Sequence, residues 1–393
     1  MNDVKDFKVS DGVLIKYCGD ATEVNVPDFV GKERIVVIGP GAFKNLTFIT
    51  KVIIPEGVTE IKGMAFYGCT SLQTIQIPNS IERIGSDSFA GCSALQGTEY
   101  DKCIYLGNPE MPFLVLYKAK NKKRVGCNVV QGTKIVYQEA FLKFAALETI
   151  TLPNSITNFG CEAFKGCKEL HNVYFNGSLS EWLSIDMVGA RFSQPLSNGA
   201  NLYINGTLMT EITVPVDSEI KSGAFEGCIS LKKVNIPQFV KSIGFVAFCN
   251  CAYLEDVCIE NGVSFIDSLA FSGCKALCSI QIPASVIKIS QRTFMGCVSL
   301  ASVDLPSTIV AVEEGLFQEC IALEEINIPE NIQKIEQYAF CECVALKNVN
   351  ISKNTKEIAS NAFSGCSQLT IKTSKGSFAE TFANKKGYAI KLG

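Results

Sequence analysis

The sequence predicts a right-handed, β-dominated α/β solenoid: a parallel sheet built from coils of about 23 residues, with short helical turns between strands. Three observations carry this. First, residues 231–368 read as six consecutive 23-residue copies with none gained or lost, from LKKVNIPQFVKSIGFVAFCNCAY to LKNVNISKNTKEIASNAFSGCSQ. Second, a Phe recurs at one offset in twelve units, at positions 43, 66, 89, 141, 164, 225, 248, 271, 294, 317, 340 and 363. Third, Leu, Ile, Val and Cys hold fixed offsets around each Phe while the intervening residues vary, as expected when only the inward columns are constrained.

Within one copy, LKKVNIP reads as a strand with Val234 and Ile236 pointing inward, and Pro237, lacking an N–H, ends the ladder. VKSI is a second short extended run with Val240 and Ile243 inward, and VAFCNC a tight turn that drives Phe248 and Cys251 into the core. The chain divides accordingly. Residues 1–46 form an N-terminal cap, in which Asp11-Gly12 between apolar runs signals a hairpin and 23–27 imitate a repeat strand. Repeats at 47–95 are followed by an insertion at 96–133, repeats at 134–175, an insertion at 176–208 that carries the only Trp, and repeats at 209–369. The insertions lengthen the Phe-to-Phe step to 52 and 61 residues. Residues 370–393 form a C-terminal cap: Ser377 and Glu380 make a capping box, Phe378, Ala379, Phe382 and Ala383 share a helical face, and Gly387 stops the helix. The expectation is one continuous solenoid over residues 1–393.

Composition narrows the function classes. Hydrophobic residues make up 47%, and 36 Lys and Arg stand against 39 Asp and Glu for a net charge of −3. Neither disorder nor a nucleic-acid-binding surface is indicated. The first residues contain no 7–15-residue apolar core of a secretory leader, and no stretch reaches the roughly 18 apolar residues of a membrane span, so no membrane insertion is expected. Ten of the eighteen cysteines lie three residues after a repeat Phe, and in the two remaining units that place holds Leu46 and Phe144, which neither pair nor ligate. The column therefore reads as stacked small hydrophobes bearing free thiols.

The unit LxxIxIPxxVxxIGxxAFxGCxxL resembles the BspA-like leucine-rich repeats, most clearly in LQTIQIPNSIERIGSDSFAGCSAL at residues 72–95. IYLGNPEMPFLVLYKAK, VYFNGSLSEW with NLYING, and GSFAETFA are similar to insertions and a terminal cap of that family. The resemblance implies a leucine-rich-repeat solenoid and binding to protein ligands rather than catalysis, at the cell surface or secreted. A cytoplasmic location follows instead if Met1 is the native start, and the alternative function is then an intracellular interaction scaffold. The expected partner is a protein or a glycan, the protein is expected to be a monomer, and no cofactor or metal is expected.

The candidate partner-binding residues form the outward column of the first strand, one per coil between two inward aliphatics: Gln76, Thr151, Tyr174, Asn235, Gln281, Asp304, Asn327 and Asn350, a series of amides and hydroxyls suited to hydrogen bonding. Trp182, with Tyr174, Phe192 and Tyr203 near it in sequence, is a second candidate, since loops on a rigid scaffold often carry function. Catalytic sets fare poorly. His171 is the only histidine and lies in a variable lead-in, and the pairs Glu313-Glu314 and Glu324-Glu325 occupy variable positions. The thiol pairs at 249 and 251 and at 341 and 343 lie four coils apart, roughly 19 Å at one strand spacing per coil, too far for one zinc site. The basic run at 118–124 has no aromatic interleaving and reads as a solvated turn.

Overall fold

The computed structural model describes residues 3–187 and 193–393. The chain forms two compact units, one of Met1–Gly177 with Ile185–Asn198, the other of Ser178–Ser184 with Gly199–Gly393. Each is a β-solenoid, and each coil contributes three sides that ladder onto the next. The first is the parallel sheet of leading strands, for example Glu325–Asn327 beside Asn348–Asn350 beside Thr370–Thr373. The second is the short parallel strand after the Pro turn, as in Ser242–Ile243, Phe265–Ile266 and Lys288–Ile289. The third is the segment around the repeat Phe. It is a run of turns in which the Phe N–H donates to the Ala carbonyl of the following coil, as in Phe225 to Ala247 and Phe248 to Ala270, both 2.8 Å.

These turns need left-handed backbone on both sides of the Phe. The residue two after it is Gly or Asn in most coils, such as Gly68, Gly273 and Asn250, which tolerate positive φ. The residue two before it is often neither, and Val246 at φ 49° and Leu269 at φ 60° hold that geometry because the Phe and Cys beside them are fully buried.

The repeat rings stack through the core. In the second unit the six steps from Phe225 to Phe363 have centroid separations of 5.0–5.9 Å and interplanar angles of 4–15°. In the first unit Phe43, Phe66 and Phe89 stack, as do Phe141 and Phe164. Such offset stacks add to the burial of each ring.

The cysteine column is buried throughout. Its thiols also donate hydrogen bonds: Cys69, Cys92, Cys167, Cys251, Cys274, Cys297, Cys320, Cys343 and Cys366 each point Sγ at the carbonyl of the preceding coil's repeat Phe, at 3.0–3.2 Å. Leu46 and Phe144 occupy the column in the opening coils of their runs, where no repeat Phe precedes by 23 residues to supply the carbonyl. Cys228, also in an opening coil, meets Ser230 Oγ at 3.4 Å instead. Burial pushes the Cys69 thiol up to about 11 and those of Cys92, Cys167, Cys297 and Cys366 up to about 12, which keeps the donor proton in place at neutral pH. A second side-chain ladder sits two residues after the repeat Pro: Ser80, Ser155, Ser285 and Thr308 donate to the carbonyls of Val58, Thr133, Val263 and Val286 one coil back.

Asp11 and Gly12 form the expected hairpin turn between Phe7–Ser10 and Val13–Tyr17. The insertion at 96–133 begins with an antiparallel meander of Thr98–Tyr100, Cys103–Leu106 and Val115–Ala119. Its second half rejoins the coil, because Val115–Ala119 pairs in parallel with Ile135–Val136, and Gly126–Asn128 with Thr149–Pro153. At the C-terminus Ser377 caps the helix Phe378–Lys386, accepting from Glu380 N, and Gly387 ends it in left-handed conformation. The chain then adds a strand that the sequence reading does not anticipate, Ala389–Leu392, in parallel with Thr370–Thr373.

Candidate binding face

The alternation of the leading strands turns every second side chain outward, and in-register pairing aligns these into columns. In the second unit Asn235 lies beside Cys258, Gln281 beside Asp304, Asn327 beside Asn350, and Asn350 beside Lys372. Cys258, Gln281, Asp304, Asn327 and Asn350 are exposed. Asn235 is half-buried, and its amide oxygen has no hydrogen-bond partner among the described residues. Two residues earlier on each strand a parallel outward column runs through Lys233, Asp256, Ser279, Ser302, Glu325 and Asn348, where Lys233 and Asp256 pair at 3.1 Å. Exposed pairs of this kind contribute little to stability. The surface is thus a band in which amides and hydroxyls predominate, with Asp304, Glu325 and Lys372 as charges outside that ion pair.

In the first unit the same column reads Ile53 beside Gln76, and Thr151 beside Tyr174, all half-buried. Here the first insertion closes on the sheet. Gln76 bridges to Gly107, and Asn108 donates to the Ile77 carbonyl and the Asn79 amide oxygen, both at 2.9 Å. The Asn108 amide oxygen in turn accepts from the backbone of Glu110 and Met111, which fixes the turn. The result is a cleft of about 370 Å³ lined by Thr74, Gln76, Gln96, Thr98, Tyr105 and Asn108, among others.

The profile of the BspA type leucine rich repeat region matches the chain in six copies, over residues 16–108, 127–184, 199–320 and 241–370. The chain belongs to the BspA-type leucine-rich repeat family. Among solved structures it is similar to a leucine rich cell surface protein of Faecalibacterium prausnitzii, with 25% identity over 97% of this chain and 94% of that one and a TM-score of 0.45. It is also similar to a leucine-rich repeat protein of Bacteroides ovatus, with 23% identity, the same coverages and a TM-score of 0.47. No curated protein sequence matches it significantly.

In this BspA-type chain the Trp182 side chain is not at the surface. It lies on the helix Leu179–Ser184, whose Ser178 and Glu181 form a reciprocal capping box, and its side chain is fully buried. Its indole N–H donates to the Ala224 carbonyl at 2.9 Å. That carbonyl belongs to the opening coil of the second array, where a preceding repeat Phe would otherwise supply the donor, so the indole replaces a missing rung. Tyr203 is half-buried, and Phe192 lies outside the described residues.

Three further side chains do the same work, and local sequence gave no signal for them. Tyr137 Oη accepts from the Phe89 N–H at 3.2 Å, Asn198 donates to the Phe164 carbonyl at 3.0 Å, and Tyr388 Oη donates to the Phe363 carbonyl at 2.9 Å. Each stands at the end of a regular run.

The other polar groups weighed from sequence lie apart. His171 is exposed, with Glu169 beside it at 3.4 Å. Glu314 pairs with Arg292, and Glu324 with Lys347. In the basic run Lys120 pairs with Glu99 and Arg124 with Asp101. Cys251 and Cys343 belong to the thiol ladder. Among the described residues no three His, Cys, Asp or Glu side chains converge in a way that holds a metal ion. No helix among them is long and apolar enough to cross a membrane.

Proposed function

We propose that this protein is a non-enzymatic binding module that presents the outward column of its leading strands to a protein or glycan partner. The observation that supports this reading is the run of Gln281, Asp304, Asn327 and Asn350, exposed and carrying one amide or carboxylate per coil. Hydrogen-bonding groups repeated on a rigid sheet recognise an extended ligand without ordering loops on binding, which lowers the entropic cost of association. In the first unit Gln76 extends the same chemistry into the cleft under the insertion. The family resemblance adds a cell-surface or secreted setting to the proposal.

The test is a screen of the immobilised full chain against glycans and extracellular-matrix proteins, followed by the double variant Gln281→Arg/Asn327→Arg. Both positions face away from the core, so the unfolding midpoint is expected to hold while affinity for the captured ligand falls at least about tenfold. Unchanged affinity in the double variant overturns the assignment of this face. A hydrolytic or transferase activity abolished by His171→Ala overturns the non-enzymatic reading.

A further inference from the structure

The first insertion contains a pair of cysteines whose geometry differs from that of the ladder thiols. Ladder thiols point at carbonyls one coil away, whereas Cys103 Sγ and Cys127 Sγ face each other at 3.9 Å. Cys103 opens the strand Cys103–Leu106 of the meander, and Cys127 lies in Gly126–Asn128, the strand that rejoins the solenoid sheet. These strands are not hydrogen-bonded to each other, since the first pairs with its meander neighbours and the second with Thr149–Pro153. Both side chains are buried.

A guanidinium holds the site together. Arg124, with only 8% of its side chain exposed, donates through Nη1 to Cys103 Sγ at 3.4 Å and to the Asp101 carbonyl at 2.8 Å. Its Nη2 donates to the Asp101 carboxylate at 2.7 Å and its Nε to the Gly126 carbonyl at 2.8 Å. The arginine is therefore fixed by the backbone of both segments that carry the cysteines. The hydrogen bond from the Cys127 thiol, together with the guanidinium, holds the Cys103 thiol below its ordinary range, while the same bond and burial push the Cys127 thiol up. The fold thus holds the two sulfurs against each other with a cation beside one of them.

We propose that Cys103 and Cys127 are a disulfide-forming pair that clips the first insertion to the solenoid, closed by exchange with a small-molecule disulfide. Cys103 gives its proton to solvent, and its thiolate attacks one sulfur of that disulfide, forming a mixed disulfide and expelling one thiolate. That thiolate takes the Cys127 proton, and the Cys127 sulfur then attacks Cys103 Sγ, so that the second small thiolate leaves and is protonated by solvent. The protein dithiol loses two electrons and two protons, and the small disulfide becomes two thiols. Because both sulfurs are buried in the folded unit, the exchange takes place while the meander is open, as it is during folding, and the finished bond is then shielded from reductant.

The experiment refolds the full chain with a mixture of oxidised and reduced glutathione, alkylates it without reduction under denaturing conditions, and maps the peptides. The expected result is one predominant cross-linked species joining Cys103 to Cys127, two hydrogen masses lighter than the reduced pair, with the ladder cysteines alkylated. Alkylation of both Cys103 and Cys127, or cross-links scattered over other cysteines, overturns the proposal. A second measurement compares melting of the first unit in oxidised and reduced protein. The bond closes a loop of about 24 residues, so oxidation is expected to raise the midpoint by roughly 5–10 °C in the native chain and by nothing in the Cys103→Ser/Cys127→Ser variant. An equal shift in that variant also overturns the proposal.

Discussion

The two units are built from the same coil but solve different problems. The second runs uninterrupted from Phe225 to Phe363, and inside that run each repeat Phe N–H and each column thiol finds its acceptor one coil away. The first is broken after Phe89 and again after Phe164, and the groups exposed there are satisfied by side chains from irregular segments, Tyr137 and Asn198. A repeat array is thus held less by any one contact than by the supply of a complementary neighbour for each polar group at each seam. Where the repeat stops, the cost is that of an unpaired buried group, about 1–3 kcal/mol apiece, unless another residue intervenes.

The contrast is sharpest at high pH. The second unit carries seven column thiols and the first carries three. Burial raises these thiols above their ordinary range, to about 12 for Cys297 and Cys92. A raised folded-state pKa means that the native form retains the proton while the unfolded chain releases it. Stability is therefore complete below about pH 9 and is lost as pH rises toward 12, in proportion to the number of such groups. Hydrogen-exchange mass spectrometry between pH 8 and about 9.5, below the range in which the first unit's Tyr105, Tyr117 and Tyr137, also pushed up by burial, contribute in the same sense, is expected to show the second unit losing protection more steeply than the first once corrected for intrinsic exchange. Equal slopes would mean that the ladder thiols are already ionised or open to solvent.

The next largest effect is a break in the ring stack. Phe294→Ala, with a stacked ring on either side, is expected to cost about 4–5 kcal/mol, and Phe164→Ala, stacked on Phe141 and meeting Phe159 edge-on, about 3–4. Urea unfolding reads the former through Trp182 fluorescence, since the only tryptophan belongs to the second unit.

The smallest effects test the substituted rungs directly. Trp182→Phe keeps an aromatic ring but orphans the Ala224 carbonyl, and Tyr137→Phe orphans the Phe89 N–H. Each is expected to lower stability by about 1–3 kcal/mol in its own unit and to leave the other unchanged, as read by unit-resolved hydrogen exchange.

The coil itself was legible because its period reports the inward columns directly: Phe, Leu, Ile and Cys recur wherever a side chain is buried. Asp11-Gly12 and Ser377 with Glu380 were legible because their turn and cap chemistry is local. The outward column from Asn235 to Asn350 followed from strand alternation alone. The part Trp182 plays as a donor was not legible, because nothing near it in sequence shows that Ala224, forty-two residues on, lacks one. The return of Val115–Ala119 to the ladder and the final strand Ala389–Leu392 were hidden for a related reason, since neither carries the repeat signature and both are recruited by an open edge.

The uniform Phe segments of the second unit have a consequence for length. Between Phe248 and Phe340 each coil offers its neighbours the same backbone amide and carbonyl beside the Phe, from Ala270, Thr293, Leu316 or Ala339, together with the same ring face and the same thiol acceptor, so successive coils are nearly interchangeable parts. Excising residues 277–299, one full period, joins surfaces already matched in hydrogen bonding and stacking, and duplicating them does likewise. The outward column then shortens or lengthens by one side chain, making the protein a ruler whose graduations can be added or removed one at a time.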